Sequence, residues 1–328
     1  MEDERRAESS PPTIAVCIPS YKRPALLRDL LTSLEEQTFP LNGAMKWIVA
    51  VIDNDPEETA RKVCEEFAQN HKFDLHYIVE KRVGLSHVRN AALDFAVGRA
   101  DCICFIDDDE KPCPCWLDEL VHIQRKTNAD CVYGPVPSIL PAGTPPWIVK
   151  GRFFDRPAFE DAAELSWNKA GTGNLLISCD FLRRSRLRFD HRFSHSGGED
   201  SFFLLEATRK FGARIFGAAK AIAWEQIPPS RTALSWILRR RFRAGSTHSM
   251  CERLIGSPPA KLLLRGMKGV AHIGIGILTS PLGLLMGRHA VARSLGRLAL
   301  GSGMCAGLLG FTYKEYALAD TAPKPLSG

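Results

Sequence analysis

CICFIDDDE, residues 102–110, is the stretch on which the fold turns. Cys102 to Ile106 is an apolar run of strand length, of the kind buried on both faces, and Asp107, Asp108 and Asp109 follow it without a break. In open α/β sheets ligands bind beyond the carboxyl ends of the strands, so this placement puts three carboxylates on the ligand side. Like charges this close raise one another's pKa. A counter-cation relieves that repulsion, and hard oxygen donors suit Mg²⁺ or Mn²⁺. Taken alone, the segment also fits a solvated acidic turn capping the next helix, where Asp is common.

Working outward, the same pattern repeats. Upstream, Thr13 to Ile18 is an apolar run ending at Pro19-Ser20-Tyr21, and Pro24 opens a helix with Leu26, Leu27, Leu30, Leu31 and Leu34 on one face. Trp47 to Ile52 predicts a second strand, closed by Asp53-Asn54-Asp55, and Pro56 a second helix with Ala60, Val63, Cys64, Phe67 and Ala68 inward. Leu75 to Val79 reads as a strand and Leu85 to Ala96 as a helix burying Val88, Ala92 and Phe95. Strands alternating with helices of this length imply βαβ units and a mainly parallel sheet. Downstream, Trp116 to Lys126 predicts a helix and Gly134 to Pro146 a proline- and glycine-rich loop. Gly171-Thr172-Gly173-Asn174 precedes the apolar Leu175 to Ile177, and Gly197-Gly198-Glu199-Asp200 opens a helix closed by Gly212. By position alone, two acids at a helix start read as partners of the helix dipole.

The 328 residues suffice for one large domain, or one domain with an appendage, and 45% hydrophobic with 24% charged residues is an ordinary globular composition. The net charge of +6 is uneven. From Arg231 to Leu300 there are 12 Lys and Arg against the single acid Glu252, or +11, which leaves −5 for the rest. The first twelve residues, MEDERRAESSPP, are polar and acid-rich, the pattern of a short loose tail rather than a secretory signal. The ten cysteines are scattered, and Cys17, Cys102 and Cys104 fall in core strands, where thiols act as small hydrophobes, so a reduced, cytosolic setting is expected. Cys113 and Cys115 could join Cys102 and Cys104 around zinc only with a spacing outside the usual two-to-four-residue gap.

Past Arg231 the character changes. Gly269 to Gly287 is a 19-residue stretch without an acid, Lys or Arg, and a second apolar stretch runs from Leu298 to Phe311. The first is just long enough to span a bilayer, which takes roughly 20 apolar residues, but it carries six Gly and Pro residues and His272. Were both to span as a hairpin, Arg288, Arg293 and Arg297 would lie outside, against the positive-inside tendency. In-plane or re-entrant helices on the cytoplasmic face fit better, with Arg239, Arg240, Arg241 and Arg243 meeting anionic headgroups. The alternative is a helical tail packed on the catalytic domain or on a second subunit.

Five segments in order, AVCIPSYKRPALLRDLLTSL, VAVIDNDPEE, KRVGLSHVRNAALDFA, ICFIDDDEKP and GGEDSFFLLEATRKFG, resemble the family 2 glycosyltransferases of GT-A fold, especially those of bacterial exopolysaccharide assembly. The likeness covers roughly Thr13 to Gly212, and the order of the motifs is more specific than any one of them. It implies that Pro19 and Tyr21 pack on the nucleotide base and that Asp53 hydrogen-bonds it, as a ring face and a carboxylate can. It implies that Arg82 and Arg89 face the nucleotide, with support of the helix as the alternative for Arg89. Asp107 and Asp109 match the acidic pair that holds a divalent ion against the diphosphate, with Asp108 nearer the ribose or donor sugar. Asp200 matches the general base, and Glu199 orients it or contacts the acceptor. Gly171 to Asn174 resembles the loop under the sugars. Arg231, Trp236 and Arg240 loosely resemble a region that closes over the diphosphate. A glutamine-arginine-tryptophan signature is missing, which favours single-sugar addition over polymerisation.

The expectation is therefore a loose tail at 1–12, a GT-A Rossmann-like α/β domain at 13–230 and a basic, apolar, membrane-associated helical region at 231–328. The resemblance implies an inverting, Mg²⁺- or Mn²⁺-dependent enzyme. It would pass a sugar from a nucleotide-sugar donor, a UDP-sugar, to a saccharide or lipid-linked saccharide acceptor at the cytoplasmic face of a bacterial inner membrane. One competing reading is a sugar nucleotidyltransferase, although the first-strand loop PSYKRP lacks the glycine that triphosphate loops use. Another is a non-catalytic membrane scaffold, although every acid the chemistry needs is present. Nucleic acid is not an expected partner, since the basic region adjoins apolar stretches and contains no recognised nucleic-acid module.

Overall fold

The acid-bearing strand sits near the middle of its sheet. The computed structural model describes residues 11–43, 45–69, 73–194 and 196–311; most of the expected loose N-terminal tail and the last part of the basic region lie outside them. In chain order the strands are β1 (Thr13–Ser20), β2 (Lys46–Asp53), β3 (Asp74–Val79), β4 (Cys102–Phe105), β5 (Glu110–Pro112), β6 (Cys131–Tyr133), β7 (Ser138–Ile139), β8 (Leu175–Ser178), β9 (Ile215–Gly217) and β10 (Ala223–Gln226). The helices are α1 (Pro24–Glu35), α2 (Arg61–Ala68), α3 (Leu85–Ala96), α4 (Trp116–Thr127), α5 (Pro146–Gly151), α6 (Cys179–Ser185), α7 (Glu199–Phe211), α8 (Leu234–Leu254), α9 (Pro259–Met286) and α10 (Arg288–Leu308).

Seven strands form one sheet in the order β3-β2-β1-β4-β8-β6-β9. All neighbouring pairs are parallel except those of β8, which runs against both β4 and β6. The continuous apolar runs follow from burial on both faces. Ile14, Val16 and Ile18 of β1 face one core with α1 and α4, and Ala15 and Cys17 face the other with α3 and α7. All five are fully buried. Burying a Val or Ile side chain contributes about 1.5–3 kcal/mol, so a charge at Val16 would break the centre of the sheet. In register, Cys17 of β1 lies beside Phe105 of β4, and Ser20 beside Asp53 of β2. The carboxyl ends of β1, β2 and β4 therefore share one edge, and the aspartates emerge there.

Two local features depart from expectation. The second helix starts at Arg61 and not at Pro56. Asp55 accepts from the Thr59 hydroxyl (2.7 Å) and Asp53 from the Ala60 amide (3.1 Å), which holds residues 56–60 in turns. A second, three-stranded sheet, β5-β10-β7, takes one strand from before the expected loop, one from inside it and one from after it. It carries Glu110 and Glu225 under the site. All ten cysteines are free thiols. Cys113 and Cys115 approach to 3.9 Å, but Cys102 and Cys104 are in β4, and no zinc cluster forms among the described residues.

Candidate active site

The acidic turn is built by the end of β4 and held from β1. Asp108, 5% exposed, turns back into the protein. It accepts hydrogen bonds from the Ser20 hydroxyl (3.1 Å), the Tyr21 amide (3.4 Å) and Arg23 (3.1 Å). Arg23 also donates to Asp109 at 2.7 Å. Asp107 keeps its side chain partly open to the cleft, 3.7 Å from Arg89. Behind it the buried Glu110 accepts from the Asp107 amide. Burial pushes the Asp108 carboxyl up to about 7 in spite of Arg23. Burial likewise raises Asp107, against the pull of Arg89, with Asp109, Glu225 and Asp200 adding to the rise. Glu110 is pushed well above the usual carboxylate range by burial and then by Asp107 and Asp109. Acids crowded and desolvated in this way are the environment that a cation completes.

The opposite wall is basic. Glu225 on β10 bridges Arg156 (3.0 Å) and Arg231 (2.8 Å). Burial works against the charge of Arg156, but Tyr133 and Glu225 beside it hold its pKa above the ordinary arginine value. From α8, Trp236, Arg240, Arg243, Thr247 and His248 face the same cleft. The Arg240 guanidinium lies 5.1 Å from the Trp236 ring centre, and burial lowers its pKa to about 10. The cleft between the walls holds about 500 Å³.

At the third side is the start of α7. Gly198 has φ +95°, and a Cβ there would run into Thr247 of α8, so only glycine fits this approach. The two acids that follow divide their work. Glu199 is 2% exposed and ion-paired with the buried Arg89, while its Oε2 has no partner among the described residues. Asp200 opens to the cleft; its Oδ1 accepts from the Ser201 amide (2.6 Å), and its Oδ2 lies near Gly171. Arg89 thus links the acidic turn to the helix that carries Asp200.

Residues 15–184 match the family model for glycosyl transferase family 2. Across 300 residues the chain is 32% identical to the succinoglycan biosynthesis protein ExoM of Rhizobium meliloti (strain 1021), covering 90% of this chain and 92% of that protein. The chain belongs to glycosyltransferase family 2. A shorter likeness, 26% over 136 residues, links it to glycosyltransferase AglE of Haloferax volcanii, over 41% of this chain and 43% of that one. Among solved structures, the Pyrobaculum calidifontis mannosyltransferase PcManGT in complex with GDP-Man and Mn²⁺ superposes with a TM-score of 0.61 at 17% identity, covering 92% and 88% of the two chains. The S. aureus TarS 1–349 complex with UDP gives 0.51 at 17%, covering 91% and 92%. The fold is GT-A.

In this glycosyltransferase, Pro19, Tyr21, Arg89, Asp107, Asp108, Asp109, Glu199 and Asp200 all line the one cleft. Two expected nucleotide contacts do not. Asp53 is fully buried, and its carboxylate accepts from the Asp55 amide (2.9 Å), the Ala60 amide (3.1 Å) and the Tyr77 hydroxyl (2.8 Å). These bonds tie Asp53 into the β2 loop, and Asn54 is the residue of that loop that lines the cleft. Arg82 is exposed and paired with Glu80 at 2.9 Å, away from the cleft lining. Gly171, Thr172 and Gly173 line the site, whereas Asn174 is buried, accepting from the Trp116 indole (2.6 Å). Arg23, Glu110, Arg156 and Glu225 are site residues that the sequence reading missed. Only Glu110, the fourth acid of the run, left a signal there. The boundary expected at 230/231 also falls inside the site, because α8 forms one wall.

Proposed function

We propose that this glycosyltransferase moves a single sugar, with inversion, from a nucleotide-sugar, a UDP-sugar, to a hydroxyl of a saccharide or lipid-linked saccharide in the assembly of a cell-surface polysaccharide. The observation that carries the proposal is that Asp200 opens to the same cleft as the acidic turn, while Glu199 beside it is committed to Arg89. That leaves Asp200 to take the proton from the acceptor hydroxyl. As the acceptor oxygen bonds to the anomeric carbon, the bond from that carbon to the diphosphate oxygen breaks. A single displacement of this kind inverts the centre. The Tyr21 ring offers a face to the base, and Arg240 and Arg243 offer positive charge to the diphosphate.

The acids suit a divalent metal. No three His, Cys, Asp or Glu side chains form a cage among the described residues, but Mg²⁺ is commonly held through one or two carboxylates and the substrate's phosphates. Asp107 and Asp109 are hard donors at the cleft, and the raised pKa of Asp107 marks a place short of positive charge. They would hold the ion, which when bound neutralises charge on the departing diphosphate.

The name of ExoM supports a place in exopolysaccharide synthesis, and the apolar C-terminal helices support a lipid-linked acceptor at the cytoplasmic face of a bacterial inner membrane. The nucleotidyltransferase alternative falls with the family assignment. The test is a screen of UDP- and GDP-sugars for nucleotide release with Mg²⁺, Mn²⁺ or chelator, since solved proteins of this fold hold UDP-GlcNAc in one case and GDP-Man in another. Metal-dependent release of UDP from a UDP-sugar is expected. Release that chelator does not change would overturn the metal assignment, and release of GDP alone the donor assignment.

A further inference from the structure

α9 is 28 residues long and apolar enough to cross a membrane, yet only 17% of its most apolar window is buried. Its outer face carries Leu263, Met267, Val270, Leu278, Leu284 and Leu285, with Leu278 75% and Leu285 87% exposed. Its inner edge is Gly269, Gly276 and Gly283, seven residues apart, and all three are buried. They seat on α10. A Cβ on Gly269 would lie 2.9 Å from Cys305 Sγ, one on Gly276 3.0 Å from the Leu298 amide, and one on Gly283 3.0 Å from the Val291 amide. The two helices therefore run antiparallel, in contact from Gly266 to Gly283 of α9. α10 in turn presents Gly303 and Gly307 to the Phe242 and Ser246 carbonyls of α8, the helix whose Trp236 and Arg240 line the cleft.

This stack decides how the helix can meet lipid. To cross a bilayer, α9 would have to unzip from α10, leaving bare backbone along its glycine edge, or carry α10 with it. α10 bears the exposed Arg288, Arg293 and Arg297, and charges are costly in hydrocarbon. Lying flat, α9 keeps its seam and buries its outer face. The surroundings choose the occupant. From Arg253 to Phe311 the sequence contains no acid, and Lys268 of α9 and Arg288, Arg293 and Arg297 of α10 are exposed on the same helical pair. Arg293 also donates to the Lys150 carbonyl, and the charges of both residues reach His289 of α10. A second copy would present the same positive charge, whereas anionic headgroups complement it.

We propose that the outer face of α9 docks in the plane of an anionic bilayer without crossing it, with its flanking lysines and arginines on the headgroups. The inference deepens the reading of this enzyme as one that meets a lipid-linked acceptor and rests on it. The test uses the full chain added to preformed phosphatidylglycerol–phosphatidylethanolamine vesicles, with phosphatidylcholine vesicles as the neutral control. The protein should float with the anionic vesicles, and Leu278→Glu with Leu285→Glu should cut flotation by at least about tenfold. Nucleotide release, measured on the same samples, should stay within about twofold because neither leucine touches the cleft. Ala260→Cys and Met286→Cys, at the two ends of α9, should both react with an impermeant maleimide added outside, above the background of the parent chain. Protection of Met286→Cys alone would mean a span and overturn the proposal. So would unchanged flotation of the double-Glu variant. A lipid-free dimer abolished by those two changes, without flotation of the parent, would assign the face to a second copy instead. Flotation without nucleotide release would sink the enzymatic reading and leave the docking face standing.

Discussion

Replacing Arg89 by methionine isolates the buried link between the acidic turn and α7. Arg89 is 5% and Glu199 2% exposed, they are paired, and Glu199 Oε2 has no other partner among the described residues. Removing the cation leaves a buried carboxylate with nothing to balance it, a change that costs about 3–5 kcal/mol in comparable pairs. For 328 residues, with an unfolding entropy of about 2.1 cal/mol/K per residue, that is a drop in Tm of roughly 4–7 °C. Thermal unfolding by circular dichroism reads it directly. Arg89→Met combined with Glu199→Leu removes both charges and should recover most of the loss, because apolar replacements of a buried pair are often neutral. A single variant that melts within about 1 °C of the parent, or a double variant as unstable as the sum of its singles, would refute the reasoning.

Gly173→Ala places a methyl against the Glu110 carboxylate and 3.1 Å from Asp107 Oδ2; donor affinity by calorimetry should fall by about tenfold or more, roughly 1.4 kcal/mol. The pKa of Asp108, raised from 3.8 to about 7, and the raised pKa of Asp107 mean that the folded protein holds protons the unfolded chain has lost. The stability Asp108 contributes is therefore complete below about pH 4 and lost as pH rises through about 7, and Asp107 acts in the same direction. Urea midpoints of the metal-free protein should show this decline, and donor with Mg²⁺ should release protons near pH 6, measured in buffers of different ionisation enthalpy. Truncation after Gly256 strips α10 from α8 and uncovers the backbone of Phe242 and Ser246, so nucleotide release should fall even without lipid. Wild-type release by that fragment would show that the cleft wall stands alone.

The parallel half of the sheet was legible because β1, β2 and β4 are apolar runs closed by polar loops, and a strand buried on both faces leaves no other pattern. The acids at Asp107 to Asp109 were legible for the same reason, as they stand at the end of a strand, whereas Asp200 by position alone reads as a partner of the α7 dipole and was singled out only by the family resemblance. Side-chain direction was not legible. Asp53 and Asn54 are adjacent at one strand end, and which of them meets the cleft is settled by the Tyr77 hydroxyl and the amides of residues 55 and 60. Arg23 escaped notice because its partners lie 85 and 86 residues further along the chain, and Glu225 because Arg156 stands 69 residues before it. The change of composition at Arg231 was real, yet it masked that α8 faces the cleft on one side and α10 on the other.

Asp200→Asn tests the account most directly. The substitution keeps the size of the side chain and removes the carboxylate that opens to the cleft beside the ion-paired Glu199. Turnover should fall by about 10²–10⁴-fold, while the Kd for donor with Mg²⁺, measured by calorimetry, stays within about threefold of the parent. Near-normal turnover in the Asn variant would contradict the assignment of Asp200 as the base.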